Sequence, residues 1–113
     1  MTTFHPLDVA QVFSPFPFGR NSRDGDNNGE RFRQQFLVPR LRADQHLRVM
    51  LDNVRRLPSS SWLEEAFGGL IRFDKFSLDF VRSHLQIATQ RKDYEEEIWG
   101  YIEKAAEDVR KVK

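Results

Sequence analysis

Residues 46–70 read HLRVMLDNVRRLPSSSWLEEAFGGL, a stretch in which a strand pattern is followed closely by a helix pattern. Apolar side chains alternate at positions 47, 49 and 51, which predicts a strand over residues 46–54. Met50 falls on the opposite side of that strand and predicts that both faces are covered, as in a central strand. After Pro58, apolar residues at 62, 63, 66, 67, 70 and 71 predict a helix with a broad buried face.

The start of this helix is marked by three consecutive serines, Ser59, Ser60 and Ser61. Ser61 and Glu64 match the capping box S-x-x-E, in which the serine side chain accepts a bond from a free N–H of the first turn. Ser61 is therefore the predicted N-cap. Two glycines at 68 and 69 would each cost about 1 kcal/mol in an isolated helix. Their presence predicts that this helix approaches the sheet closely.

The flanking segments continue the alternation of strands and helices in both directions. Residues 3–13 are predicted to form one or two strands, and residues 20–28 an exposed polar loop. A helix is predicted after Asn28, which suits an N-cap, and a short helical patch at 73–81 precedes a strand at 84–89. Apolar residues spaced from Tyr94 to Val109 predict a long final helix. We therefore expect one α/β domain over residues 1–113, with a mostly parallel or mixed sheet of about four strands and helices mainly on one face.

Composition excludes several classes of protein. The chain has 113 residues, no cysteine and a net charge of +1, so it offers neither disulfides nor the strongly basic footprint of a nucleic-acid binder. No apolar run approaches the roughly 20 residues that span a bilayer, and the first residues do not form a signal peptide. We expect a cytoplasmic protein with no membrane or nucleic-acid partner.

The spacings that mark catalytic and metal sites are missing from the sequence. The three histidines lie far apart, and no phosphate-binding glycine loop or nucleophile elbow is present. Residues 24–29 resemble the first half of a calcium loop, but Gln35 stands where the bidentate carboxylate is needed. We therefore expect no metal, no cofactor and no enzymatic activity. An alternative remains open: the helix start at Ser59–Ser61, with Arg20, Arg55 and Arg56, would suit a nucleotide or anion sensor.

Residues 18–20, 28–33, 49–54 and 59–70 together resemble the STAS-like domain family of unknown function. Its most specific part is the run SSSWLEEAFGGL at 59–70, and the resemblance extends over about residues 15–105. That family is related to STAS domains, which include anti-sigma-factor antagonists and sulfate-transporter modules. The resemblance implies a small α/β sandwich and a role in partner switching.

In STAS antagonists, a serine at the start of the helix after the central strand is phosphorylated by a GHKL-type kinase that is also the binding partner. Matching helix to helix places that serine at Ser61, with Ser60 as the alternative. STAS antagonists have Asp-Ser-Ser-Gly here, whereas this chain has Pro58 before the serines and Trp62 in place of the glycine. Trp62 is interpreted either as a block to a kinase or as a binding hot spot. The predicted partner-binding residues are Arg20, Arg55, Arg56, Ser59, Trp62 and Glu65, and a homodimer is left open.

Overall fold

The computed structural model describes residues 2–111, and this part of the chain contains one parallel sheet of three strands. The strands are β1 (His5–Asp8), β2 (Leu47–Met50) and β3 (Leu85–Ala88), in that spatial order. Leu7, Val49 and Ile87 are register partners across the sheet. The predicted α/β class and the central position of β2 are confirmed, while the sheet has three strands where about four were expected.

Helices connect the strands. They are α1 (Val9–Val12), α2 over residues 29–42, α3 over residues 60–72, α4 (Leu78–His84) and α5 (Lys92–Lys111). A short 3₁₀ turn, Ser22–Asp24, lies within the polar loop before α2. The predicted final helix and the predicted helix after Asn28 are both present. Asn28 is the N-cap of α2, because its side chain accepts a hydrogen bond from the N–H of Arg31 at 2.8 Å.

The missing strand is explained by residues 3–13, which form one strand and one helical turn. The Asp8 side chain accepts a hydrogen bond from the N–H of Ala10 at 3.1 Å and so caps α1 directly at the end of β1. A second strand in this segment, which the sequence left open, is therefore wrong.

Within residues 2–111, helices cover only one face of the sheet. Leu7, Val49 and Ile87 point toward the helices and are buried, whereas the alternate side chains Pro6, Arg48 and Gln86 are exposed. The interpretation of Met50 as a sign of two covered faces is wrong, because this side chain is only half-buried on the open face. No helix within residues 2–111 combines the length and the apolarity needed to cross a membrane.

The helices α2 and α3 each contain a π-helical segment between two α-helical ones. In α2 the order is Gly29–Phe32, Arg33–Leu37 (π) and Val38–Arg42. In α3 it is Ser60–Leu63, Glu64–Gly68 (π) and Gly69–Arg72. Such π turns are rare and occur frequently at functional sites. In α2 the wide turn lies just before Pro39, which has no N–H to donate to the preceding turn.

Candidate functional site

The start of α3 lies beyond the carboxyl end of β2, at the edge of a parallel sheet where ligands usually bind. Ser59 is the N-cap: its backbone is extended, and its Oγ accepts a hydrogen bond from the N–H of Trp62 at 3.4 Å. The predicted cap at Ser61 is wrong, because Glu64 does not reach back to the helix start. Its carboxylate is held by Arg20 and Arg72 instead.

The two remaining serines have different surroundings. The Ser60 hydroxyl donates to the Glu97 carboxylate on α5 at 2.9 Å, and the Tyr101 hydroxyl donates to the same carboxylate oxygen at 2.6 Å. Burial raises the pKa of Tyr101, and its bond to Glu97 raises this pKa further. Ser61 is exposed in the first turn of α3. Ser60 is exposed as well, so the two serines differ in that the Ser60 hydroxyl is held by Glu97.

Trp62 is a core residue with no exposed surface. Its indole N–H donates to the main-chain oxygen of Asn27 at 2.9 Å, and its ring packs on Phe32 with centroids 5.1 Å apart. The prediction that Trp62 contacts a partner is therefore wrong. A large side chain at this position fills the core and anchors the polar loop before α2 to the start of α3.

Arg20 and Glu65 belong to an internal ion-pair network. The Arg20 guanidinium lies 2.5 Å from the Glu64 carboxylate and 3.2 Å from that of Glu65. Hydrogen bonding to Glu64 raises the pKa of Arg20. Burial raises the pKa of Glu64, but hydrogen bonds from Arg20 and Arg72 outweigh burial and hold this pKa below its ordinary value. Glu65 is buried, so its predicted role as a partner contact is wrong, and Arg20 is already paired with carboxylates.

Arg33 is the residue that sequence reasoning missed. Its side chain is 2% exposed, and its Nη1 donates at 2.6 Å both to the Glu65 carboxylate and to the Glu65 main-chain oxygen. Its Nε lies 2.8 Å from the Asp74 carboxylate, an ionic contact whose angles do not make a hydrogen bond. A buried arginine is rare without partners, and here carboxylates from α3 and from the turn after it supply them. The arginine next to Phe32 in a buried stripe was the one available sequence signal.

The paired glycines make room for these contacts. A Cβ on Gly69 would overlap the Arg33 guanidinium, and a Cβ on Gly68 would come within 3.4 Å of the Tyr101 main-chain oxygen on α5. The predicted close approach of α3 to the sheet is therefore wrong. The glycines admit a buried side chain and a neighbouring helix. Gly29 acts similarly, since a Cβ there would lie 2.5 Å from the Trp62 main-chain oxygen.

Exposed apolar side chains lie in two segments next to the start of α3. Phe16 and Phe18 are each 52% exposed and Leu57 is 41% exposed. The main-chain oxygen of Pro15 accepts hydrogen bonds from the N–H groups of Arg55 and Arg56, at 2.7 and 3.3 Å. The N–H of Phe18 bonds the same Asn27 oxygen that holds the Trp62 indole. These bonds place the segment that contains Phe16 and Phe18 beside the helix start. We call this region the α3-start surface: Phe16, Phe18, Arg55, Arg56, Leu57 and Ser61.

Two arginines give the α3-start surface its charge. Arg55 and Arg56 are exposed, and neither forms an ion pair with any residue in the 2–111 range. The structure thus keeps these two predicted residues available, together with Ser61. Among residues 2–111 no cluster of three or more histidine, aspartate or glutamate side chains is placed to hold a metal ion.

The architecture defines a small two-layer α/β domain whose parallel sheet carries helices on one face. Residues 28–95 match the family described as a STAS-like domain of unknown function, and the chain belongs to that family. This finding confirms the resemblance seen in the sequence. No curated protein and no solved structure matches the chain significantly.

The family match includes both sides of the buried network. It begins at the α2 cap, Asn28, and contains Arg33, Glu65 and Gly69. Most of the run at 59–70 is therefore explained by folding: Trp62 fills the core, the two glutamates pair with arginines, and Gly69 admits Arg33. Within the run, the exposed side chain of Ser61 takes no part in these contacts.

Proposed function

We propose that this chain is a non-enzymatic regulatory module that binds a protein partner through the α3-start surface. The observation that carries the proposal is the exposure of Phe16, Phe18 and Leu57, in segments that sequence or hydrogen bonds place next to one helix start. Exposed apolar groups rimmed by charged residues are typical of protein-binding sites. The unpaired charges of Arg55 and Arg56 favour a partner that presents carboxylates around an apolar centre.

The proposed partner class rests on the resemblance to STAS antagonists together with the helix start. STAS-related antagonists bind GHKL-type kinases at the equivalent helix, and we propose an ATPase or kinase of that class as the partner. Ser61 is the proposed phosphoacceptor, because it is exposed and lies in the first turn, where free N–H groups favour a phosphate. A phosphate on Ser60 would instead face the Glu97 carboxylate.

Phosphorylation of Ser61 would regulate the contact electrostatically. A phosphate adds about −1.5 to −2 charges at neutral pH. It would attract the neighbouring Arg55 and Arg56 and repel the carboxylates of the partner. The phosphorylated form is therefore proposed to be the form that releases the partner.

The binding proposal is tested by affinity capture from the native cell with wild-type protein and with Phe18→Ser. Phe73→Ser is the matched control, because Phe73 is 54% exposed but lies at the end of α3, away from its start. We expect a GHKL-type ATPase to be captured by wild type and by Phe73→Ser, and to be lost with Phe18→Ser. Equal capture by all three proteins would show that this surface is not the binding site.

The phosphorylation proposal is tested with the captured ATPase and ATP, followed by mass spectrometry. We expect phosphate on Ser61 in the wild type and no phosphate on the Ser61→Ala variant. Ser61→Asp should bind the partner at least about tenfold more weakly, which corresponds to about 1.4 kcal/mol. Ser60→Ala serves as the control and should be phosphorylated normally. Phosphate on Ser60, or unchanged binding by Ser61→Asp, would contradict the assignment.

The sensor alternative is separated from partner binding by thermal-shift measurements with nucleotides and inorganic phosphate. One residue predicted to bind the anion in such a sensor, Arg20, is already paired with Glu64 and Glu65. We expect no stabilisation by any of these anions. A stabilisation that disappears in the Arg55→Ala, Arg56→Ala double variant would favour the sensor.

A further inference from the structure

The outer edge of β3 presents main-chain groups with no strand beside them. β3 is the last strand of the described sheet, and the main-chain oxygen of Ala88 accepts from the N–H of Leu51 at 3.3 Å. Ala88 and Gln86 therefore direct their main-chain groups toward β2. Successive residues of a strand alternate in this respect, so the N–H and C=O of Ile87 point away from the sheet.

A groove runs along this edge. It has a volume of about 440 Å³ and is lined by all four residues of β3 together with Arg48, Glu95 and Trp99. Trp99 belongs to α5 and lies on the helix side of the groove, half-buried. Arg48 belongs to the open face of the sheet and lies on the other side, exposed. The groove therefore combines a hydrogen-bonding edge with an apolar wall and a cationic wall.

We propose that this groove binds an extended segment of a partner protein, which adds to β3 as a fourth strand. Strand addition uses main-chain hydrogen bonds for affinity and alternating side-chain contacts for specificity. The site is separate from the α3-start surface, and its occupancy does not depend on the function proposed for that surface.

The two walls determine the chemistry of the segment. Side chains of an added strand alternate between the helix layer and the open face, with a period of two residues. Those on the helix side meet Trp99 and should be apolar. One on the open face lies beside Gln86, to whose side-chain oxygen Arg48 donates at 3.3 Å, and should be acidic. Glu95 also lines the groove near the helix side, so a carboxylate is disfavoured there. The fitting segment alternates apolar residues with polar ones and carries an acidic residue among the polar ones.

The sequence of β3 supports the same conclusion. Proline and lysine are two residues that natural proteins use to protect sheet edges, and this four-residue strand carries neither. Ile87 is 7% exposed and lines the groove, so its outward main-chain groups are the contact that an incoming strand would use.

The test uses the full chain and the short acetylated peptide Val-Thr-Val-Glu-Val-Thr-Val. Binding is measured by fluorescence anisotropy, and main-chain contact by amide hydrogen exchange at Ile87. We expect saturable binding that slows exchange of the Ile87 amide by at least about tenfold, because a new hydrogen bond must open before exchange. No binding, or binding without slower exchange at Ile87, would overturn the proposal.

Charge reversal tests the orientation with a variant that leaves the core intact, because Arg48 is exposed. Arg48→Glu should weaken binding of the glutamate peptide at least about tenfold and should strengthen binding of the same peptide with a central lysine. Arg23→Glu, an exposed arginine in the loop before α2, is the control and should change neither affinity. Trp99→Ala should weaken both peptides. Unchanged affinities in Arg48→Glu, or a dimer that protects Ile87 without peptide, would overturn the assignment to a partner segment.

Discussion

The Arg33 guanidinium and the Glu65 carboxylate meet inside the protein at 2.6 Å, with 2% and 7% of their side chains exposed. Arg33 begins the π segment of α2, and Glu65 lies in the π segment of α3. The two irregular turns therefore face each other across a buried ion pair. This contact joins the two halves of the family motif, since one residue comes from 28–33 and the other from 59–70.

We predict that Arg33→Met destabilises the protein by about 3 kcal/mol, because Glu65 loses its buried partner and keeps only the partly exposed Arg20, 3.2 Å away. Asp74 would lose its cation as well. The free energy of unfolding is measured by urea denaturation. Arg82→Met is the control: the Arg82–Glu103 pair lies at the surface, with 52% and 54% exposure, and should contribute less than about 1 kcal/mol. Equal losses in the two variants would contradict a special role for the buried pair.

Gly69→Ala is predicted to destabilise the protein, although alanine normally favours a helix over glycine by about 1 kcal/mol. The added Cβ would overlap the Arg33 guanidinium and displace it from Glu65. Gly100→Ala gives the matched comparison, because Gly100 lies in α5 with open space around its Cβ position. We expect a higher Tm for Gly100→Ala and a lower Tm for Gly69→Ala. A stabilising Gly69→Ala would show that Arg33 adapts at no cost.

The order of strands and helices could be predicted because it depends on local periodicity. Alternation at 47, 49 and 51 marks β2, and the helical spacing from Tyr94 to Val109 marks α5. Both patterns survive in the structure because each element buries one face. The cap at Asn28 was also predicted correctly, although Asp26 and Asn27 just before it suit the same position.

Contacts between distant segments could not be predicted. Three adjacent serines all suit an N-cap, and the choice of Ser59 depends on tertiary contacts. The Tyr94 hydroxyl donates to the main-chain oxygen of Pro58, and the Trp62 indole is held by Asn27. Arg33 gives no local sign that Glu65, 32 residues away, will reach it. The exposed face of β2 was missed because one methionine between alternating apolar residues does not tell which side is covered.

The corrected helix start predicts different effects for two neighbouring serines. Ser59→Ala should destabilise the protein by about 1 kcal/mol, because the N–H of Trp62 loses its side-chain acceptor. Ser61→Ala should change the free energy of unfolding by less than about 0.5 kcal/mol, since its side chain is exposed within the first turn. Chemical denaturation of both variants decides between the two positions. A larger loss for Ser61→Ala would restore Ser61 as the cap.

Acid sensitivity should depend on Glu64. Its pKa in the folded protein lies below the ordinary value of 4.5, because hydrogen bonds from Arg20 and Arg72 outweigh the effect of burial. The folded state thus binds fewer protons at this site than the unfolded state, so Glu64 contributes stability above pH 4.5 that is lost as pH falls through the lowered pKa. The stability gap between wild type and Glu64→Gln should be full at neutral pH and should shrink as the solution is acidified. Urea denaturation across this pH range tests the assignment. The same comparison in an Arg20→Met background is the control, and the stability gap should be smaller there. A gap that stays constant with pH in the wild-type background would contradict the assignment.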